Sequence, residues 1–198
     1  MFSGLIAYRG TVVSNEDAAG GKRLVIEARE AAREGVEPKD SVAIDGVCLT
    51  ATRVRKNRMA FDVVPETLAR STLGLRRPGD FVNVELSLRL GDRIGGHLVY
   101  GHVDAMTDVV DRAPEGQGER LTVSTPPAMS RYIVEKGYVA LDGVSLTVAS
   151  VETTTFSIAL IPETAERTTL GRKLPGDRLN VEIDPLARYA LGAKQVGN

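Results

Sequence analysis

The sequence predicts an all-β fold in which two small antiparallel barrels stand in tandem and a short C-terminal α-helix follows them. Three observations predict it. The chain repeats itself at a fixed interval of 97 residues: DGVCLT at 45–50 returns as DGVSLT at 142–147, PET at 65–67 returns at 162–164, and RPGDFVNVE at 77–85 returns as LPGDRLNVE at 174–182. Each half reads as about six short strands with little helix, and a closed sheet is the economical way for such strands to avoid exposed edges. Finally, 198 residues suffice for two units that each bury a core. The boundaries expected are 1–97 for the first barrel, 98–185 for the second, and 186–198 for a C-terminal oligomerisation helix or tail.

In the first half, strands are expected at 4–13, 23–28, 41–45, 48–54, 59–64 and 81–88. There β-branched residues alternate with polar ones, and DG and PGD supply turns. The second half repeats this order, from 101–110 through 179–183. Short helices are expected at 29–34, after Pro126-Pro127, and at each PET. The glycine-rich segment LGDRIGGHL at 90–98 marks the crossing between halves, and reads equally as a plain linker. In the tail, Leu186, Tyr189, Ala190 and Ala193 recur at helical spacing, with Asp184 as cap and Pro185 in the first turn. So short a helix is marginal alone, and Gly192 weakens it further, so it must dock or pair.

Composition narrows the function. A formal net charge of −1 and nine aromatics without tryptophan give no footprint for nucleic acid. No stretch approaches the ~20 apolar residues of a membrane span, and Met1 to Ile6 lacks a basic region and a long apolar core, so a cytoplasmic chain is expected. Cys48 is the one cysteine and makes no internal disulfide.

The repeated blocks hold the chemistry. Each PET sets a carboxylate beside a hydroxyl, suited either to hydrogen-bonding a polyhydroxylated chain or to capping a helix. Strand alternation puts Cys48 and Thr50 on one face, and Ser145 and Thr147 on the matching face of the other half. Both pairs read either as ligand contacts or as small polar filler inside a barrel. The two frames differ where it matters: Cys48 stands opposite Ser145, Ser41 opposite Tyr138, and Leu5 opposite His102. His97 and His102 are the only histidines, and neither has the spacing of a metal set. His102 reads as a general acid or base, or as a surface histidine. Lys136 reads as a solvated charge before Gly137.

The opening MFSGLI, then SVAIDGVCLT, GGHLVYGHVD, KGYVALDGVSLTV, IPETAERTTLG and NVEID, closely resemble riboflavin synthase of the type with two lumazine-binding repeats, over nearly the whole of 1–185. The resemblance implies tandem six-stranded Greek-key β-barrels and a C-terminal helix that joins three subunits into a homotrimer. It implies dismutation of two molecules of 6,7-dimethyl-8-ribityllumazine to riboflavin and 5-amino-6-(D-ribitylamino)uracil, the final step of riboflavin biosynthesis, with no cofactor or metal. Each barrel would hold one lumazine, and the reacting pair would meet between subunits. Association with lumazine synthase is left open.

Carried over by position, the first contact stretches fall on Gly4, Leu5 and Ile6, and on Cys48, Leu49 and Thr50. Asp62, Val63, Val64, Pro65, Glu66 and Thr67 follow, with Gly101, His102 and Val103. In the second barrel they are Lys136, then Ser145, Leu146 and Thr147, then Ala159, Leu160, Ile161, Pro162, Glu163 and Thr164. The resemblance implies catalytic roles for Phe2, Ser41, Cys48, His102 and Asp184, with Asn83 and Ser145 as lesser candidates. Which barrel holds the donor stays open. Tyr100 stands where a smaller or amide side chain is expected. One rival is a non-catalytic lumazine or flavin carrier of the antenna type, which has no use for the reactive set. Another, the flavin barrel of a ferredoxin-reductase-type enzyme, lacks here its Arg-x-Tyr-Ser/Thr motif and any room for a nicotinamide domain.

Overall fold

The computed structural model describes residues 1–195. Its first closed barrel runs in the order β1-β2-β5-β4-β3-β6, from β1 (Tyr8–Ala18), β2 (Gly21–Glu27), β3 (Ser41–Ile44), β4 (Val47–Arg55), β5 (Arg58–Val63) and β6 (Phe81–Leu86). Strands β3, β4 and β5 follow one another by hairpins while β2 returns beside β5, which is the Greek-key crossing. The second barrel repeats it from β7 (Ala105–Glu115), β8 (Gly118–Ser124), β9 (Tyr138–Leu141), β10 (Val144–Val151), β11 (Thr155–Leu160) and β12 (Arg178–Ile183). Even the bulges repeat: the register slips between Val12 and Ser14 and between Ala51 and Arg53, and again at Val109/Asp111 and Val148/Ser150. Bulges add twist and bend a strand, which helps a six-stranded sheet close.

Each barrel fills mainly with its own apolar residues, Ile6 of the first half joining the core of the second. Leu24, Ile26, Met59 and Phe61 lie fully buried in the first, and Leu121, Leu141, Phe156 and Ile158 in the second. Helix α1 (Arg29–Arg33) closes one barrel with Ala31, and the PET segments form α2 (Pro65–Arg70) and α3 (Pro162–Arg167). The stretch after Pro126 is a 3₁₀ turn, Pro127–Tyr132, rather than a longer α-helix, and only Met129 of it is buried. Helix α4 (Pro185–Gln195) starts as its cap predicts, with the Leu186 N–H donating to Asp184 Oδ1 at 2.9 Å. The last three residues of the expected 186–198 tail lie outside the described ones.

Two expected strands begin later than their alternation suggests. Residues 1–7 precede β1 and reach across to the second barrel, while 98–104 precede β7 and reach back to the first. Phe2 and Val99 meet as an antiparallel bridge where the two segments cross, with N···O distances of 2.8 and 3.0 Å. The Gly4 carbonyl accepts from Ser145 of the second barrel and the Gly101 carbonyl from Cys48 of the first, so each segment crosses over instead of extending its own strand.

Part of the seam between barrels is polar, buried and symmetric. Asn83 donates to the Asp142 carbonyl at 2.9 Å and accepts from the Thr169 N–H at 2.8 Å. Its counterpart Asn180 donates to the Asp45 carbonyl at 2.8 Å and accepts from the Thr72 N–H at 2.7 Å. The two Asp-Gly turns are two-residue hairpin loops with positive φ at both positions, the type I′ geometry that suits strand twist. They meet back to back: a Cβ on Gly46 would stand 2.5 Å from the Gly143 nitrogen. The buried turn carboxylates are neutralised from the side, Asp45 by Arg76 at 2.7 Å and Asp142 by Lys173 at 3.0 Å.

Candidate functional site

Val47, Leu49 and Ala51 point into the first barrel, so Cys48 and Thr50 face outward. Ser41 is the cross-strand partner of Thr50, and Ala43 of Cys48, which gathers Ser41, Cys48 and Thr50 on one outer face. The reading of these residues as barrel filler is thereby corrected, because the alternation puts the apolar set inside.

The crossing segment lies on this face. Gly101 accepts from the Cys48 N–H at 2.9 Å, its φ is +76°, and a Cβ there would stand 2.5 Å from the Cys48 Cβ. Only glycine permits that approach. Glu182 holds the segment by accepting the Tyr100 and Gly101 N–H groups at 2.8 and 2.9 Å. Burial pushes the Glu182 carboxyl up to about 7, against the pull of those N–H donors. His102 follows, exposed, its ring edge-on to Tyr100 at 6.0 Å, and Val103 is half-buried. A cleft of about 360 Å³ opens here between Arg70, Tyr100, His102, Glu182 and Tyr189.

The second barrel repeats the arrangement with other side chains. Ser145 and Thr147 face outward opposite Ala140 and Tyr138. Gly4 accepts from the Ser145 N–H at 2.8 Å, has a φ of +74°, and a Cβ on it would stand 2.6 Å from that of Ser145. Glu85 holds Ser3 and Gly4 by their N–H groups at 2.8 and 3.1 Å, and burial raises its carboxyl too. Lys136 is exposed at a φ of +63°, and Leu5, the counterpart of His102 in the repeat, is exposed as well.

The segment at 90–98 is no plain linker. A Cβ on Gly96 would stand 2.3 Å from the Ser3 carbonyl and 2.8 Å from Ser145 Oγ, so the loop is packed onto the second site. It delivers His97, whose Nδ1 lies 2.7 Å from Ser145 Oγ and whose ring stacks on Tyr138 at 5.1 Å. Sequence reasoning weighed His97 only as a metal ligand. The glycine pair before it was the available signal, since paired glycines mark a close approach.

At the PET blocks, Val64 and Ile161 take the cap positions, proline sits in the first turn, and no side chain caps either helix. The capping alternative therefore falls. Glu66 and Glu163 are exposed and bind Arg70 and Arg167 one turn on, while the half-buried Thr67 and Thr164 lend their carbonyls to Ser71 and Thr168 hydroxyls at 2.6 and 2.7 Å. Thr50, Asp62, Val64, Pro65, Thr147, Ala159, Ile161 and Pro162 are also exposed, with Asp62 paired to Arg23 at 2.8 Å.

Several expected site residues lie elsewhere. Ile6, Leu49, Val63, Leu146 and Leu160 are buried, the last four because alternation turns them into the barrels, so only their backbones are available to a ligand. Phe2 is wholly buried in the seam, packed with Ala43, Val99, Ala140 and Cys48, and has no exposed surface for a reactant. Asn83 is spent in the seam. Asp184 caps α4 and acts on His97 through its charge.

The lumazine binding domain family matches this chain twice, over residues 3–87 and 100–184. The chain is 45% identical to the riboflavin synthase of Chlamydia pneumoniae over 184 residues, 93% of this chain and 90% of that one. It is 42% identical to that of Mycobacterium tuberculosis, covering 96% of each chain, and 39% identical to that of Escherichia coli, covering 93% and 87%. Among solved structures, LumP complexed with riboflavin superposes with a TM-score of 0.85 at 21% identity, covering 92% of this chain and 99% of that one, which shows the shared fold. With two matched domains over two like sites, and full-length relatives of one name, the chain belongs to the riboflavin synthase family.

Proposed function

We propose that this chain is a cytoplasmic riboflavin synthase that holds one 6,7-dimethyl-8-ribityllumazine on each barrel and transfers a four-carbon unit between them, giving riboflavin and 5-amino-6-(D-ribitylamino)uracil. The observation that carries the reading is the pair of outward sites with one backbone and unlike side chains: Ser41, Cys48 and His102 on one, Tyr138, Ser145 and Leu5 on the other. Identical reactants in unequal surroundings can take unequal parts. The exposed carboxylates of Glu66 and Glu163, with Thr67 and Thr164, supply acceptors and donors for ribityl hydroxyls.

The reaction requires a proton to leave the 7-methyl group of one lumazine and a nucleophile to add to the ring of the other. His102 and Ser41 serve as proton-transfer groups, and Cys48 or a water activated beside it as the nucleophile. Holding two rings together makes the encounter internal, which supplies much of the acceleration. The rings meet across subunits of a homotrimer joined through α4, whose Leu186 and Tyr189 are 68% and 65% exposed in the single chain. Apolar side chains that open are the expected mark of a subunit contact.

The test is direct. Purified protein incubated with 6,7-dimethyl-8-ribityllumazine and no additive forms riboflavin and the diaminouracil in equal amounts. Tight binding without product supports the antenna-type carrier instead.

A further inference from the structure

The two sites differ most at one place. Tyr138 of the second barrel occupies the frame position of Ser41, and its ring stacks within 12° of parallel on buried His97 while remaining 44% exposed. Tyr138 and Thr147 are cross-strand partners, and Ser145 lies two residues before Thr147 on the same face. An aromatic ring backed on one side and open to solvent is therefore set beside two hydroxyls.

The hydrogen bonding of His97 defines what those hydroxyls offer. Nδ1 lies 2.7 Å from Ser145 Oγ, and Nε2 is buried with no partner among the described residues. A buried N–H without an acceptor is rarer in proteins than a bare lone pair, so the hydrogen belongs on Nδ1. His97 then donates to Ser145 Oγ, and the Ser145 hydrogen is free to point away from the barrel as a donor. Burial lowers the imidazole pKa, with the Asp184 charge opposing, which agrees with a neutral ring. Gly95 and Gly96 make the placement possible, because a side chain on either would collide with Leu5 or with Ser3 and Ser145.

We infer that Tyr138 is the platform on which the second barrel stacks a heteroaromatic ring, and that His97 is a positioning residue that fixes both this platform and the Ser145 hydroxyl donor. The ligand class is a fused, flat heterocycle with a carbonyl or ring-nitrogen acceptor near its edge. The inference rests on the two-site reading above and adds to it an asymmetry of grip: the second barrel clamps its ring by stacking, while the first leaves Ser41 in that place.

Full-length protein titrated with riboflavin, followed by calorimetry and by quenching of flavin fluorescence, tests the platform. Wild type binds at two sites per chain. Tyr138→Ser, which writes the first barrel's residue into the second, weakens one site about tenfold, equal to about 1.4 kcal/mol, and spares the other. Tyr138→Phe restores it. Wild-type affinity retained at both sites in Tyr138→Ser, or in Tyr138→Leu should the serine variant fail to fold, overturns the assignment. For His97, the readout is coupling: Ser145→Ala and His97→Gln each lower kcat, and the double variant loses less than the two single losses multiplied together. Additive losses reject the positioning role. A wild type that neither binds riboflavin nor consumes the lumazine would instead overturn the two-site reading itself.

Discussion

Replacing Asn83 by alanine tests whether this residue belongs to the seam or to the chemistry. The carboxamide joins the barrels by two hydrogen bonds, to the Asp142 carbonyl and from the Thr169 N–H, and is 1% exposed. Alanine leaves both partners buried without a replacement. Each such group costs about 1–3 kcal/mol, so Asn83→Ala loses about 2–6 kcal/mol of stability. A chain of this size loses about 2–4 °C of Tm per kcal/mol, which puts the fall near 10 °C. Because Asn180 makes the mirror pair of bonds, Asn180→Ala is expected to lose a similar amount. Urea denaturation with calorimetry measures both, and riboflavin formation well below the melting point measures the chemistry. A loss under about 1 kcal/mol, below even one unsatisfied group, would refute the reasoning. So would a collapse of kcat in a variant of normal stability, which would return Asn83 to the catalytic set.

Other expectations follow from the sites. His102→Ala lowers turnover by about 10²–10⁴-fold if the imidazole transfers a proton, and Cys48→Ser also impairs turnover more than folding; paired kinetics and melting curves check both, and wild-type rates in both reject their roles. The Glu182 carboxyl is raised by burial to about 7 from an unfolded value near 4.5. The folded state therefore binds the extra proton between those values, and the stability this group contributes is complete below the lower and lost as pH rises through the higher. Across that window the loss is at most about 3 kcal/mol, and Glu182→Gln, measured by denaturation from pH 5 to 8, should gain relative to wild type as pH rises. Leu186→Glu with Tyr189→Glu should give a monomer by sedimentation and abolish turnover while each chain still melts cooperatively.

Much of this was open to reading from the residues alone. The 97-residue repeat and its alternation disclosed two barrels because period and spacing are local properties of a strand, and Asp-Gly announced its hairpins because few residues adopt positive φ cheaply. Strand alternation likewise paired Cys48 with Thr50 and Ser145 with Thr147, and the Asp184-Pro185 start of α4 was legible from its cap. What local pattern left undecided was which face of β4 turns inward, since Cys48 and Thr50 could line either side until Val47 and Leu49 packed against Phe61 and its neighbours. The exchange of residues 1–7 and 98–104 between barrels also lay beyond it, as did the burial of Phe2 and Asn83 in the seam. Those depend on groups far apart in the chain finding partners only once both barrels have closed. His97 shows the limit most plainly: its hydroxyl partner is 48 residues away. Only the folded chain, with two glycines yielding room, puts the imidazole against Ser145.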